Sequence, residues 1–456
     1  MQLFRRKHPD IHQHQLRPSL NAFDLTLMGI GVIIGAGVFV LTGVAAATKA
    51  GPAITLSYII AGLASLFAAL SYAELATSIG GCGSAYNYTY AGFGELIAWI
   101  IGWNLIFEYT LAVSTVAIGW SGYVENAFEA LHVHLPIALT HNPFEGGIIN
   151  LPAVLIIFVL GLLLCVGVRQ SARFNAMMVS VKLLTITLFT VVAIKYTNPS
   201  NWKNFFPFGW SGVMSGAALV FYAYIGFDAL STAAEETKNP QRNIPIGILC
   251  SLIFCVTIYV LVSGLLSSIV PYTTLNVKSP VADALLNLGH STIAGLIAAG
   301  AIAGLTTGML VMYYGVTRIT LAIARDGLLP KPLARVNPIT HTPINNILIY
   351  GLIMGAIAGF VPLGAAAELI NIGTLSAFTL VSAGVILLRY LHPELARPFR
   401  LPWNPLIPVL GIIFCFTLML NLPTITWIRF IIWMIIGLFI YFFWSYKHSF
   451  LNKSST

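Results

Sequence analysis

Apolar runs of about twenty residues, the length a helix needs to cross a bilayer, recur along this chain with short polar joints between them. Of its 456 residues 57% are hydrophobic and 8% charged, against roughly a quarter charged in a soluble domain. Lipid offers main-chain N–H and C=O groups no partner, so such runs are confined to helices that satisfy themselves. The fold expected is therefore an all-α polytopic membrane protein.

Twelve segments follow from the hydropathy pattern: Leu25–Ala46, Ala53–Ala76, Gly94–Val124, Ile148–Val168, Phe174–Ile194, Gly212–Ala233, Ile244–Val270, Ile293–Ala324, Asn346–Val361, Ala367–Leu388, Ile407–Leu420 and Ile428–Trp444. They are called segments 1 to 12 below. With the N-terminus placed inside, sixteen Lys and Arg residues fall on inner connections. Only Lys49, Lys195, Lys203, Lys278 and Arg429 fall on outer ones. Under the positive-inside rule that bias puts both termini in the cytoplasm of a cell membrane. The net charge of +8 is spread between apolar runs and forms no patch for nucleic acid. The polar tail, with His8, His12 and His14, carries no apolar signal-peptide core. The five cysteines, Cys82, Cys165, Cys250, Cys255 and Cys415, lack zinc spacing and read as reduced packing residues. Ser78–Phe93, rich in Gly and Tyr, reads as an interfacial or re-entrant piece.

Two of the segments are interrupted by glycine about 190 residues apart, at Ile33-Ile34-Gly35-Ala36-Gly37-Val38-Phe39 and at Tyr222-Ala223-Tyr224-Ile225-Gly226-Phe227-Asp228. Unwound backbone at membrane depth survives where it lines a cavity, and a matched pair in two halves points to a transporter's binding site. Gly35, Ala36 and Gly37 expose amides suited to a carboxylate, and carbonyls around Tyr222–Ile225 suit an ammonium. A molecule carrying both groups on one carbon is an α-amino acid. Segments 1–5 and 6–10 then form inverted five-helix repeats. The organisation is a tail over residues 1–24, repeats over 25–198 and 199–390, and segments 11–12 with a short tail over 391–456.

Ionisable residues inside the apolar runs are functional candidates, because charge is costly there. Lys182 sits roughly eight residues, about 12 Å, from the nearer end of segment 5. It reads as an amine that gains and loses a proton during a cycle. Glu108 in segment 3 and Asp228 after the second break could each partner the lysine, bind a substrate amine or brace the broken helix. Glu74 reads as interfacial, and Arg318 and Arg325 as charges that set topology.

Ile33–Thr42 (IIGAGVFVLT), Glu108-Tyr109, Phe221–Pro245 and Ala324–Pro330 (ARDGLLP) give the chain a resemblance to the amino acid–polyamine–organocation superfamily. Within it, the chain is most similar to the cationic amino acid transporter branch and its bacterial relatives. The resemblance implies a LeuT-like 5+5 inverted repeat with broken helices 1 and 6, and amino acid transport by proton symport or exchange. It implies that Ile33, Gly35, Ala36 and Gly37 meet the substrate carboxylate, that Tyr222 covers the substrate and that the Ile225 carbonyl takes its amine. Lys182 matches the lysine that stands where sodium-coupled relatives hold their ion. It would contact the first break and a polar residue of segment 8, either Thr306 or Thr307. Glu108 matches a glutamate on which transport depends in the cationic branch.

The chain has twelve segments where eukaryotic cationic transporters carry two more. Neutral amino acids therefore remain open as substrates beside cationic amino acids or polyamines. A nutrient sensor would be expected to carry a sizeable soluble domain, and no catalytic constellation marks an enzyme. The partners expected are an amino acid and the lipid bilayer, with no cofactor and no metal. A fixed ammonium repels a second cation, so no sodium site is expected. Uptake should follow an inward proton gradient and be indifferent to replacing sodium by potassium in vesicle assays. Strict sodium dependence would overturn the assignment of Lys182.

Overall fold

The computed structural model describes residues 18–453, apart from 80, 131–132, 134, 278–279 and 362–365. Most of the N-terminal tail, with its three histidines, and Lys278 lie outside the described residues. The architecture is all-helical. Among the described residues the one β feature is an isolated parallel bridge between Leu20 and Thr237. Among the described residues eight helical stretches are long and apolar enough to cross a membrane, and Leu151–Val166, Ile344–Phe360 and Leu406–Leu420 are shorter apolar helices.

Segment 1 opens with helix Ala22–Ile33 behind a capping box: Asn21 Oδ1 accepts from the amides of Phe23 and Asp24, and the Asp24 carboxylate accepts from the Asn21 amide. The helix stops where Ile34 turns extended (φ −76°, ψ 99°) and resumes as wide π-helical turns from Gly37. Gly51 and Pro52 then reverse the chain into Ile54–Ser78.

Segment 6 breaks more sharply. Helix Gly209–Val220 tightens to a 3-10 turn over Phe221–Tyr224, passes through extended Ile225, and restarts as the 3-10 helix Phe227–Glu236. The joint is Gly226 at φ 112°, a conformation open to glycine at little cost. Ten residues of 3-10 helix is well beyond the usual three or four, and such stretches mark hinges or strain.

The helix of segment 3, Glu95–Ala130, and that of segment 8, Ser291–Arg325, pack along each other as the central pair. Thr424–His448 is far less buried than the stretch Ala22–Ser78. The Ile428, Ile432, Ile435 and Phe439 side chains on its open face are suited to lipid.

Among the described residues, three carboxylates hold four arginines at one end of the bundle. Arg318, fully buried, pairs with Glu236 at 3.1 Å while its guanidinium lies 4.0 Å over the Tyr314 ring. Tyr314 also donates to Glu236. Arg325 meets Glu235 at 3.0 Å. Glu74 accepts from Arg389 Nε at 2.8 Å and from the Leu401 amide, with Arg397 at 3.6 Å. Arg318, Arg325 and Glu74, which stand near segment ends, are thus all paired. Each is tied to a group of opposite sign on another segment, because a charge removed from water needs one.

Arg318→Met should lower the stability of the solubilised protein by about 3–5 kcal/mol, because it strands the Glu236 carboxylate. Pairing it with Glu236→Leu should restore part of that loss in the same denaturation assay.

Candidate functional site

The two breaks meet. A Cβ on Gly37 would fall 2.3 Å from the Ala223 Cβ and 2.4 Å from its Cα, so the interrupted backbones touch. Two buried tyrosines bond main-chain carbonyls at the breaks, and a third packs with them. The Tyr259 hydroxyl reaches the carbonyls of Ile33 and, at 2.8 Å, Ala223. Tyr58 donates to the Gly37 carbonyl at 2.9 Å and contacts the Thr42 hydroxyl, while Tyr224 donates to the Tyr58 carbonyl. Their rings pack together at centroid separations of 5.1 to 6.2 Å. Nothing in the hydropathy pattern singled out these tyrosines.

Lys182 lies behind the first break with no exposure. Its Nζ donates to the carbonyls of Gly31 (2.8 Å) and Ile34 (2.6 Å) and to Thr307 Oγ1 (2.6 Å), with the Gly304 carbonyl at 3.4 Å. An ammonium has three protons, and these contacts account for them. Of the two threonines considered, Thr307 is in contact; Thr306 instead accepts from the Trp120 indole at 2.9 Å. Neither Glu108 nor Asp228 is bonded to Lys182. Thr374 donates to Glu108 Oε1 and Tyr109 donates to Asp228 Oδ2. The second oxygen of each carboxylate has no partner among the described residues.

A cavity opens where the breaks face segments 3 and 8. All six residues singled out as substrate contacts, Ile33, Gly35, Ala36, Gly37, Tyr222 and Ile225, line it. Lys182, Thr307, Glu108 and Asp228 do not. The remaining wall had not been anticipated: Val32, then Ala112, Val113 and Val116 of segment 3, and Leu305, Gly308, Met309 and Met312 of segment 8. Positions 305, 308, 309 and 312 follow helical spacing and so share one face. That period is visible in the sequence; which face turns inward is not. No charged side chain lines the cavity. Among the described residues no cluster of His, Cys, Asp and Glu could hold a metal.

The family model for amino acid permeases matches residues 20–441. The chain belongs to the amino acid permease family. It lies within the amino acid–polyamine–organocation superfamily and is a multi-pass membrane transporter. It is 50% identical to the branched-chain amino acid permease BcaP of Bacillus subtilis over 97% of this chain and 96% of that one. It is 48% identical to the methylthioribose transporter of the same organism, over 96% and 95%. With a vacuolar cationic amino acid transporter 4 of Arabidopsis thaliana the identity is 38%, over 84% of this permease and 65% of the relative.

The two glycines of the first break are not equivalent. A Cβ on Gly35 meets nothing within 4 Å, whereas one on Gly37 collides with Ala223. Gly35→Leu should therefore fill the cavity, abolishing substrate-induced thermal stabilisation while leaving the unliganded melting temperature close to the parent's. Gly37→Ala should lower that temperature itself, as overpacking costs about 1–3 kcal/mol.

Proposed function

We propose that this permease is a proton-coupled symporter of neutral, apolar α-amino acids, working by alternating access across the cell membrane. The observation that carries the reading is the cavity wall. Main-chain groups from two broken segments stand on one side, and aliphatic and thioether side chains on the other. The broken backbones would hold the carboxylate and ammonium. Gly35, Ala36 and Gly37 take the first, and the Ile225 carbonyl takes the second under Tyr222. A guanidinium, lysyl ammonium or polyamine chain would find no counter-charge on the wall, and a buried charge without one is strongly disfavoured. That argues against the cationic alternative. The named substrates of the two Bacillus relatives, branched-chain amino acids and methylthioribose, are likewise free of a charged side chain.

In this reading the helices cross the membrane twelve times. The stretch Ala22–Ser78 turns at Gly51 and counts twice, and the three shorter apolar helices complete the number. Residues 25–198 and 199–390 each begin with a broken helix, and five crossings apiece invert one repeat against the other. The basic residues of the inner connections place both termini in the cytoplasm.

Lys182 supplies the coupling. As an ammonium it pins the Gly31 and Ile34 carbonyls, where the first half-helix of segment 1 ends. As a neutral amine it loses one donor and its charge, so the two protonation states favour different arrangements of segment 1. Glu108 and Asp228 act as braces on segments 3 and 6 through Thr374 and Tyr109.

Reconstituted vesicles should accumulate leucine, isoleucine, valine or methionine under an inward proton gradient, and arginine, lysine and putrescine should not compete. Competition by the cations at equal strength would overturn the neutral-substrate reading. Lys182→Met should lose gradient-driven accumulation while retaining substrate counterflow. Accumulation at the parent's level with the same pH dependence would remove Lys182 from the coupling step.

A further inference from the structure

We propose that Gly308 is the residue that sets how long a substrate side chain the cavity accepts, an inference that rests on the amino acid reading above. The polar walls are the broken backbones of segments 1 and 6, so a bound amino acid directs its side chain towards segments 3 and 8. On segment 8 the inward face is Leu305, Gly308, Met309 and Met312. Gly308 is its one position without a side chain. It leaves a notch with Leu305 about one turn before it and Met312 about one turn after.

The packing of segment 8 does not require that glycine. A Cβ built on Gly308 meets a single heavy atom within 4 Å, the Val32 carbonyl oxygen at 3.7 Å, which is an ordinary contact. Other glycines on the same helix are enforced by their neighbours. At Gly300 a Cβ would fall 1.9 Å from Thr185 Oγ1, and at Gly315 it would fall 2.6 Å from the Tyr109 ring. Glycine inside a helix is destabilising relative to alanine. At 308 alanine would fit, and what the glycine provides is room in the cavity. A side chain filling that room rests against Val32. The neighbouring Gly31 carbonyl is held by Lys182 and by Thr307, the residue just before the notch.

Each methylene added at 308 should therefore exclude a corresponding length of substrate. The test compares the parent with Gly308→Ala, Gly308→Val and Gly308→Leu, titrating purified protein with alanine, valine, leucine and methionine. Binding is read by thermal stabilisation and by competition in vesicle uptake. Gly308→Val, which adds three carbons, should weaken leucine and methionine by more than about 10-fold, since one misplaced methylene in an apolar pocket already costs roughly 10- to 200-fold. Alanine should be left nearly unchanged, so the rank order inverts. Gly308→Ala, whose added methyl meets no collision, should melt with the parent and shift the leucine-to-alanine ratio in the same direction. It keeps the test open if the larger variants fail to fold. A parent that binds the panel, with variants that lose all four equally or keep the parental order, overturns the role of Gly308 alone. A parent that binds none of the four overturns the amino acid reading and this inference with it.

Discussion

A break in a membrane-buried helix releases main-chain groups that lipid cannot satisfy, and in this permease the Lys182 ammonium answers for the first of the two breaks. Its donations to Gly31, Ile34 and Thr307 bind segment 5 to segments 1 and 8, and Thr307 in turn donates to the Gly31 carbonyl. The second break is held mainly by uncharged groups, with Tyr259 shared between Ile33 and Ala223 and Asn371 donating to the Ala218 carbonyl. A phenol or amide bonds its partners at every ordinary pH. An amine among carbonyls alters its bonding when it loses a proton. In the coupling proposed above, that asymmetry separates a switchable joint from a fixed one within a single site.

The cavity follows from the same geometry. Where Gly37 and Ala223 touch, the two backbones exclude side chains from one corner. The corner leaves main-chain groups facing inward, and segments 3 and 8 close it with residues of modest size. Methionine suits such a wall because its unbranched thioether adapts to different shapes. The buried arginine contacts lie away from the cavity and bind the ends of segments 2, 6, 8 and 10.

Much of this was legible in the sequence, and the reasons for what was not are particular. Gly35, Gly37 and Gly226 stand out because glycine is expensive inside a helix, and Lys182 because charge is expensive in lipid. Both are properties of one residue. The choice of Thr307 over Thr306, the inward face of segment 8, and the pairing of Arg318 with Glu236 are properties of two segments at once. Adjacent threonines differ by about 100° around a helix, and nothing along the chain says which direction faces Lys182. Arg318 reads as a topology charge because its partner lies 82 residues away.

The short bridge at Leu20 has a mechanical consequence. The amides of Ser19 and Leu20 donate to the Glu236 carbonyl, and the Lys238 amide donates back to the Leu20 carbonyl. The chain entering the first half-helix is thereby stitched to the chain leaving the last half-helix of segment 6. Either half swings only with the other, or three main-chain hydrogen bonds part. The first half of segment 1 and the last half of segment 6 are thus yoked at one end, while the other half of each broken helix stands outside that yoke.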